Sequence, residues 1–220
     1  MKILVIDIGG SNIKVKANNQ EERRKIESGD FMTPEKMVSE VLSATDDWEY
    51  EAVSIGFPGV IKDGKIAAEP KNLGPGWIGF DFVAALGKPV KIINDATMQA
   101  LGSYQKGVLL FLGLGTGLGT AIIIDGKLLP LELAHLPYKK GTFEDYVGLR
   151  GLERMGQKKW QSHVLTLVEK FRAAFLPDDI VIGGGKSKLL TKVPPGCRLG
   201  DNTLAFEGGF RMWEMAAHLS

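Results

Sequence analysis

The sequence predicts an α/β fold made of two similar lobes, and two observations support this prediction. Each half of the chain contains an apolar run, a turn rich in glycine, and a second apolar run; we call residues 9–12 the first glycine turn and residues 113–119 the second glycine turn. Strand hairpins followed by alternating helices and strands occur in both halves, as expected for α/β lobes with mixed sheets. Two such turns, about half the chain apart, indicate a duplicated lobe. We therefore predict lobes at residues 1–106 and 107–220.

The elements of the first lobe follow from their apolar patterns. Residues 3–8 form a buried strand, residues 12–17 its hairpin partner, and residues 23–28 an edge strand. A helix begins after Thr33 as N-cap with Pro34 in its first position, and an apolar face of Met37, Val38, Val41 and Leu42 continues it. The remaining predictions are strands at 52–55 and 89–93, a hairpin around residues 62–65, and a helix at 98–104.

The second lobe repeats the same order. Strands are predicted at 108–112, 119–124 and 179–182, with a hairpin turn at Asp125-Gly126. Helices are predicted at 144–155, 160–175 and 203–218. No linker is long enough to make the two halves independent, so we expect a ligand site in a cleft between them.

Composition and charge argue against several classes of partner and binding site. The formal net charge is +1, which gives no global attraction to nucleic acid or to an anionic membrane. No apolar run approaches the roughly 18–20 residues of a spanning helix, and Asp7 comes too early for a signal peptide. Cys197 is the single cysteine, which excludes an internal disulfide and a cysteine-clustered zinc site. We expect a cytoplasmic protein.

The glycine turns are candidate phosphate sites because backbone N–H groups without neighbouring Cβ atoms can close on an anion. The residues concerned are Gly9, Gly10, Ser11 and Asn12 in the first turn, and Gly115, Thr116 and Gly117 in the second. Asp7 precedes the first turn, where a carboxylate either orients Mg²⁺, usually through water, or caps the hairpin. A third glycine run, residues 183–185, admits a base or ribose, or is a simple strand-to-helix turn.

Asn94 and Asp95 are the best catalytic candidates, because they follow a buried strand and precede a helix. Phosphoryl transfer needs a base that aligns and deprotonates the acceptor hydroxyl, a task that suits Asp95. Asn94 can hold a neighbouring hydroxyl as donor and acceptor. The alternative is that this dipeptide only caps the helix.

A third cluster contains Glu132, His135 and Glu144. Two carboxylates and an imidazole offer several hydrogen-bonding groups for a polyol. Metal ligation by Glu132 and His135 is the competing interpretation.

The order of these motifs resembles the ROK sugar kinases, and most of all their polyphosphate glucokinase branch. Residues 7–14 are similar to the family's first phosphate motif, residues 114–119 to its second, and residues 94–96 to its catalytic loop. Residues 132–135 resemble its sugar motif and residues 183–187 its adenosine-side motif.

The resemblance implies an actin-like ATPase fold of two ribonuclease-H-like lobes with an inter-lobe cleft. It implies transfer of a phosphoryl group from ATP or polyphosphate to the 6-hydroxyl of a hexose, usually glucose, with Mg²⁺ and without zinc. Asp95 would be the base. The hexose would contact Asn94, Glu132, His135, Glu144, Asn72 and Gly59, and the donor would contact Lys14, Gly184, Gly185 and Ser187 besides the two glycine turns.

The chain departs from the family pattern at three places. Ala134 replaces the usual glycine of the sugar motif, and the cysteine-rich zinc motif of many relatives is missing. The span between His135 and residue 183 is short. This predicts a shortened second lobe and leaves open whether that lobe keeps a full nucleotide pocket.

Alternatives remain at the level of substrate and activity. Kinases for N-acetylmannosamine or fructose would share these motifs, and a relative that binds sugar or nucleotide without turnover is the other class. Five lysines are either a track for polyphosphate or solvated surface charges: Lys14, Lys139, Lys140, Lys158 and Lys159. Homodimers are common in this family, but no apolar stripe in the sequence identifies an interface.

Overall fold

The computed structural model describes residues 1–201 and 203–214, which divide into two compact units. Among the described residues, the first unit contains 1–98 and 205–214, and the second contains 99–201 and 203–204. The bounds of these units differ from the lobes predicted at 1–106 and 107–220, because the last helix packs with the first unit. The predicted division into domains stays a prediction.

The first unit contains a five-stranded sheet. Its elements are β1 (Ile3–Ile8), β2 (Asn12–Ala17), β3 (Arg24–Glu27), α1 (Pro34–Ala44), β4 (Ala52–Phe57), β5 (Ile61–Lys62), β6 (Lys65–Ile66), α2 (Phe82–Leu86), β7 (Val90–Asn94) and α3 (Asp95–Ser103), the last of which runs on into the second unit. The strand order is β3-β2-β1-β4-β7, with β1, β4 and β7 parallel to one another. The carboxyl ends of these three strands therefore meet at one edge of the sheet.

The second unit contains a sheet of the same size. Its elements are β8 (Val108–Leu114), β9 (Leu118–Ile124), β10 (Lys127–Leu131), β11 (Pro137–Tyr138), β12 (Gly141–Thr142), α4 (Phe143–Val147), α5 (Leu149–Phe175), β13 (Asp179–Gly183) and β14 (Cys197–Leu199), and helix α6 (Leu204–Glu214) follows them. The order is β10-β9-β8-β13-β14. Helix α5 is broken at Gly156, whose φ of 76° is not helical.

Most predicted elements are present, with shifted bounds. Thr33 caps α1 by accepting from the N–H of Lys36, and Met37, Val38 and Val41 are buried as predicted. The prediction for Leu42 was wrong, since it is exposed. Helix α3 begins at Asp95, earlier than predicted, and α4 and α5 replace the predicted helix at 144–155. Residues 215–218 of the predicted last helix lie outside the described residues.

Helix α6 packs against one lateral row of the first sheet. Val5, Ser54 and Lys91 are register partners on β1, β4 and β7. The Ser54 hydroxyl donates to the carbonyl of Gly209 at 2.6 Å, and the Lys91 ammonium donates to the carbonyl of Met212 at 2.7 Å. A Cβ at Gly209 would lie 2.5 Å from the Val5 side chain, so the glycine permits this close approach.

Between residues 1 and 214, residue 202 aside, no helix combines the length and the apolar character that crossing a bilayer requires.

Candidate active site

The first glycine turn is closed by its own backbone and lies beside an ion pair whose carboxylate is buried. The N–H of Gly9 donates to the carbonyl of Asn12 at 3.0 Å, and a Cβ on Gly9 would lie 2.9 Å from that oxygen. Asp7 and Lys14 are cross-strand partners on β1 and β2, with Oδ2 and Nζ 3.5 Å apart. Burial raises the pKa of Asp7 above its usual range, and the Lys14 ammonium opposes this rise. Ser11 at the tip of the turn is exposed.

The loop that contains Asn72 touches this turn. A Cβ on Gly10 would lie 3.0 Å from the Cβ of Asn72. The loop is closed by the Glu69 carboxylate, which accepts from the N–H groups of Trp77 and Ile78 at 3.2 Å each. Trp77 is fully buried, so the exposed Asn72 stands on a loop anchored in the core. The role of Glu69 in closing this loop was not predicted, because no local sequence pattern marks a carboxylate whose hydrogen-bond donors lie eight and nine residues further along the chain.

Asn94 caps helix α3. Its Oδ1 accepts from the N–H groups of Ala96 at 3.0 Å and Thr97 at 3.2 Å. Its Nδ2 donates to the carbonyl of Gly59 at 3.1 Å, which ties the turn after β4 to the end of β7. The capping role that the sequence left open is therefore present for Asn94.

Asp95 follows at the first position of α3 and is partly exposed. Its Oδ1 accepts from the N–H of Ala96 at 2.8 Å. Burial and, after it, the negative charge of Asp7 raise the pKa of Asp95 to about 7, against the hydrogen bonds that lower it. A carboxylate with a pKa near 7 is a suitable general base at neutral pH.

The second glycine turn is supported from α4 and α5. The N–H of Gly115 donates to the carbonyl of Gly117 at 3.1 Å, and the N–H of Leu149 donates to the carbonyl of Thr116 at 3.0 Å. Glu144 accepts from the N–H of Leu118 at 3.3 Å through Oε2. The structure thus places the Glu144 carboxylate against the second glycine turn. Its predicted role in hexose binding stays a prediction.

The third glycine run lies directly beside the second turn. Strands β8 and β13 are parallel neighbours, and the N–H of Lys186 donates to the carbonyl of Leu114 at 2.9 Å. Gly184 has a φ of +80°, and a Cβ there would collide with the Leu114 backbone. The buried Ser187 hydroxyl donates to the carbonyl of Gly184 at 2.8 Å, whereas the Cβ direction of Gly185 is open.

Glu132 and His135 lie on a short 3-10 turn after β10. Their Oε2 and Nε2 atoms are 3.7 Å apart, and both side chains are about two thirds exposed. Ala134 between them is buried in the core of the second unit, so its methyl group faces the interior. The N–H of Phe143 donates to the carbonyl of Leu136, which brings the start of α4 beside this turn. Across residues 1–201 and 203–214, no three potential metal ligands form a cluster.

The sequence model of the ROK family matches residues 3–130. The chain belongs to the ROK family. It is 27% identical over 205 residues to a polyphosphate glucokinase from Mycobacterium leprae, covering 83% of this chain and 63% of that relative. It is 32% identical over 145 residues to an N-acetylmannosamine kinase from Escherichia coli O157:H7, covering 59% of this chain and 50% of that relative. The chain thus spans about half to two thirds of the length of these relatives.

A solved structure supports the same assignment. The polyphosphate/ATP-glucomannokinase from Arthrobacter sp. strain KM matches with a TM-score of 0.81 and 28% identity, covering 98% of both chains. The predicted fold class, α/β with the actin-like ATPase architecture of ROK proteins, is confirmed.

In this ROK protein, Gly117 is the position of the second glycine turn where an added methyl group should matter. A Cβ added at Gly117 would collide with Oε2 of Glu144 and displace that carboxylate from the Leu118 N–H. We expect Gly117→Ala to raise the KM for the phosphoryl donor about tenfold, as expected for loss of roughly one hydrogen bond. Steady-state kinetics with the donor varied at saturating hexose measures this value.

The double variant tests the cause. If the collision is responsible, adding Gly117→Ala to Glu144→Ala should change the donor KM less than twofold beyond Glu144→Ala alone. Independent, multiplicative effects of the two substitutions would contradict this explanation.

Proposed function

We propose that this protein is a kinase that transfers a phosphoryl group from polyphosphate or ATP to the 6-hydroxyl of glucose or a related hexose. The observation that carries the proposal is the Asp95 carboxylate, whose pKa is raised to about 7, at the sheet edge where β1 ends beside Asp7 and the first glycine turn. Both glycine turns are rich in backbone N–H groups, the donors that suit a phosphate chain.

In this mechanism, Asp95 accepts the proton of the hexose hydroxyl as that oxygen attacks the terminal phosphorus, and the bond from phosphorus to the remaining phosphate chain breaks. Asn94 and Gly59 are tied together, so hexose contacts from this segment are held in a fixed relation to Asp95. Glu132 and His135 supply exposed polar groups for the other hydroxyls. Phosphoryl transfer requires little covalent chemistry from the protein beyond this proton transfer and positioning.

Mg²⁺ fits the acidic oxygens available in the first unit. The Asp7 carboxylate lies close enough to Asp95 for its charge to raise the pKa of Asp95, and Mg²⁺ is commonly held by one or two carboxylates together with substrate phosphates. Asp7 would hold the ion, through water. The bound ion would neutralise the charge that develops on the phosphoryl oxygens.

Polyphosphate as donor is supported by a group of cations in the second unit. Lys139, Arg154 and Lys159 all lower the pKa of His163, after the larger effect of its burial, so the three charges lie near His163. Lys139 and Arg154 also lie over the Tyr146 ring, at 5.8 and 5.2 Å from its centre. A polyanion gains from several such charges acting together.

The test offers glucose, mannose, fructose and N-acetylmannosamine, each with polyphosphate and with ATP in separate Mg²⁺-containing reactions. We expect formation of a hexose 6-phosphate, with glucose at the highest kcat/KM. The relative that phosphorylates N-acetylmannosamine makes that sugar the second candidate. Absence of transfer to every sugar, with glucose still raising the melting temperature, would overturn the kinase proposal in favour of a non-catalytic sugar-binding protein.

A further inference from the structure

A buried hydroxyl group lies directly behind the turn that contains Glu132. Thr120, near the start of β9, is 4% exposed. Its Oγ1 donates to the carbonyl of Leu131 at 2.7 Å and accepts from the N–H of Leu133 at 3.2 Å. The two backbone groups flank Glu132 on either side, so a single hydroxyl bridges the peptide units that define its position.

The Thr120 hydroxyl bonds the backbone at the point where the chain leaves the strand ladder. Leu131 is the last residue of β10 and is the register partner of Thr120. Glu132, with φ of −113° and ψ of 48°, leaves the strand conformation, and its own side chain makes no capping bond to the 3-10 turn that follows. The Thr120 hydroxyl therefore satisfies the first N–H of the turn, which would otherwise lack a partner from the strand ladder.

The same row of the sheet connects the sugar and phosphate segments. Thr120 pairs with Leu112 on β8, and Leu112 pairs with Ile182 on β13. Strand β10 runs in the same direction as β8 and β13, so Glu132, the second glycine turn and the third glycine run leave the sheet at one edge. Through its two hydrogen bonds, the Thr120 hydroxyl thus connects this row of register partners to the segment that contains Glu132 and His135.

We propose that Thr120 is a positioning residue for hexose binding: its hydroxyl holds the backbone on both sides of Glu132 so that Glu132 and His135 face the hexose hydroxyls. This inference rests on the proposed function. Because both side chains are largely exposed, the surrounding side chains do little to order them, and the backbone at Glu132 sets their direction. The sequence shows no sign of this role, since a threonine within a strand is an ordinary β-branched residue.

The experiment compares Thr120→Val, which removes the hydroxyl at nearly constant volume, with Thr120→Ser, which retains it. We expect Thr120→Val to raise the KM for glucose about tenfold while the KM for the donor stays within twofold. Thr120→Ser should restore the glucose KM to within threefold of the original. This split between the two substrates, with rescue by serine, is a result that general destabilisation would not produce.

Thr45→Val is the matched control. Thr45 is 2% exposed and its hydroxyl donates to the carbonyl of Val41 at 2.8 Å, so this variant also removes a buried hydroxyl bond, but in the first unit. We expect its glucose KM to be unchanged. If Thr120→Val does not fold, Thr120→Ser and Thr120→Ala provide the same comparison, since they differ by one oxygen atom.

The outcomes separate this inference from the proposed function. A glucose KM within twofold for Thr120→Val, an equal rise of both KM values, or failure of serine to restore binding would overturn the role of Thr120. If the unaltered protein transfers no phosphoryl group, the proposed function fails, and the dissociation constant of glucose, measured by calorimetry on the same variants, tests Thr120 with the same expected order. Absence of glucose binding by the unaltered protein would overturn both.

Discussion

The Asp95→Asn variant is expected to lose at least 10²-fold in kcat, within the 10²–10⁴-fold range typical of removing a general base. Asparagine preserves the shape of the side chain and can still accept from the Ala96 N–H, but it cannot take the proton of the hexose hydroxyl. Glucose binding should persist, because Asp95 contributes mainly to the chemical step. Steady-state turnover and calorimetric glucose titration measure the two effects on one preparation.

Asp81→Asn is the control for this substitution. Asp81 caps helix α2 by accepting from the Ala84 N–H, and asparagine is an equally good cap, so turnover should be unchanged. Retention of more than a tenth of the original kcat by Asp95→Asn would rule out Asp95 as the catalytic base.

The pH dependence of the reaction provides the second prediction. Burial, together with the Asp7 charge, raises the pKa of Asp95 to about 7, and only the deprotonated form accepts a proton. The kcat/KM for hexose should therefore level off above pH 7 and fall about tenfold per pH unit below it, or roughly 100-fold between pH 7 and pH 5. A profile that stays flat from pH 8 to pH 5 would contradict the assignment.

The same shift predicts the sign of a stability effect. Between about pH 4, the ordinary carboxyl pKa, and pH 7, the folded state binds more protons at Asp95 than the unfolded chain does. The free energy of unfolding therefore decreases as pH rises through this range. Asp95→Asn removes this cost, so the variant should be more stable than the original by roughly 0.5–2 kcal/mol at pH 8 and by less at pH 5. Urea unfolding at both pH values measures the difference.

Much of the fold follows from local pattern. The hairpin of β1 and β2, the capped start of α1 at Thr33, and the strands that enter each glycine run all depend on residues close together in the chain. Their apolar periodicity and turn residues are visible without coordinates. The pairing of β8 with β13, which brings the second and third glycine runs together, links segments about 70 residues apart and has no such local pattern.

Other features depend on contacts that no local pattern records. Helix α6 was predicted to close the second lobe, but Gly209 and Ser54 bring it onto the first sheet. Glu144 was grouped with the sugar residues, and the coordinates place it against Gly117. The Thr120 hydroxyl and the Glu69 carboxylate act on backbone groups that the sequence pattern leaves unmarked.

The resemblance to the family, the order of the strands and helices, and the candidate residues could all be read from residue types and their spacing. The coordinates were needed to show which backbone groups those residues bond and how far the pKa of Asp95 is raised. Burial and hydrogen bonding depend on neighbours in space, many of which are distant along the chain.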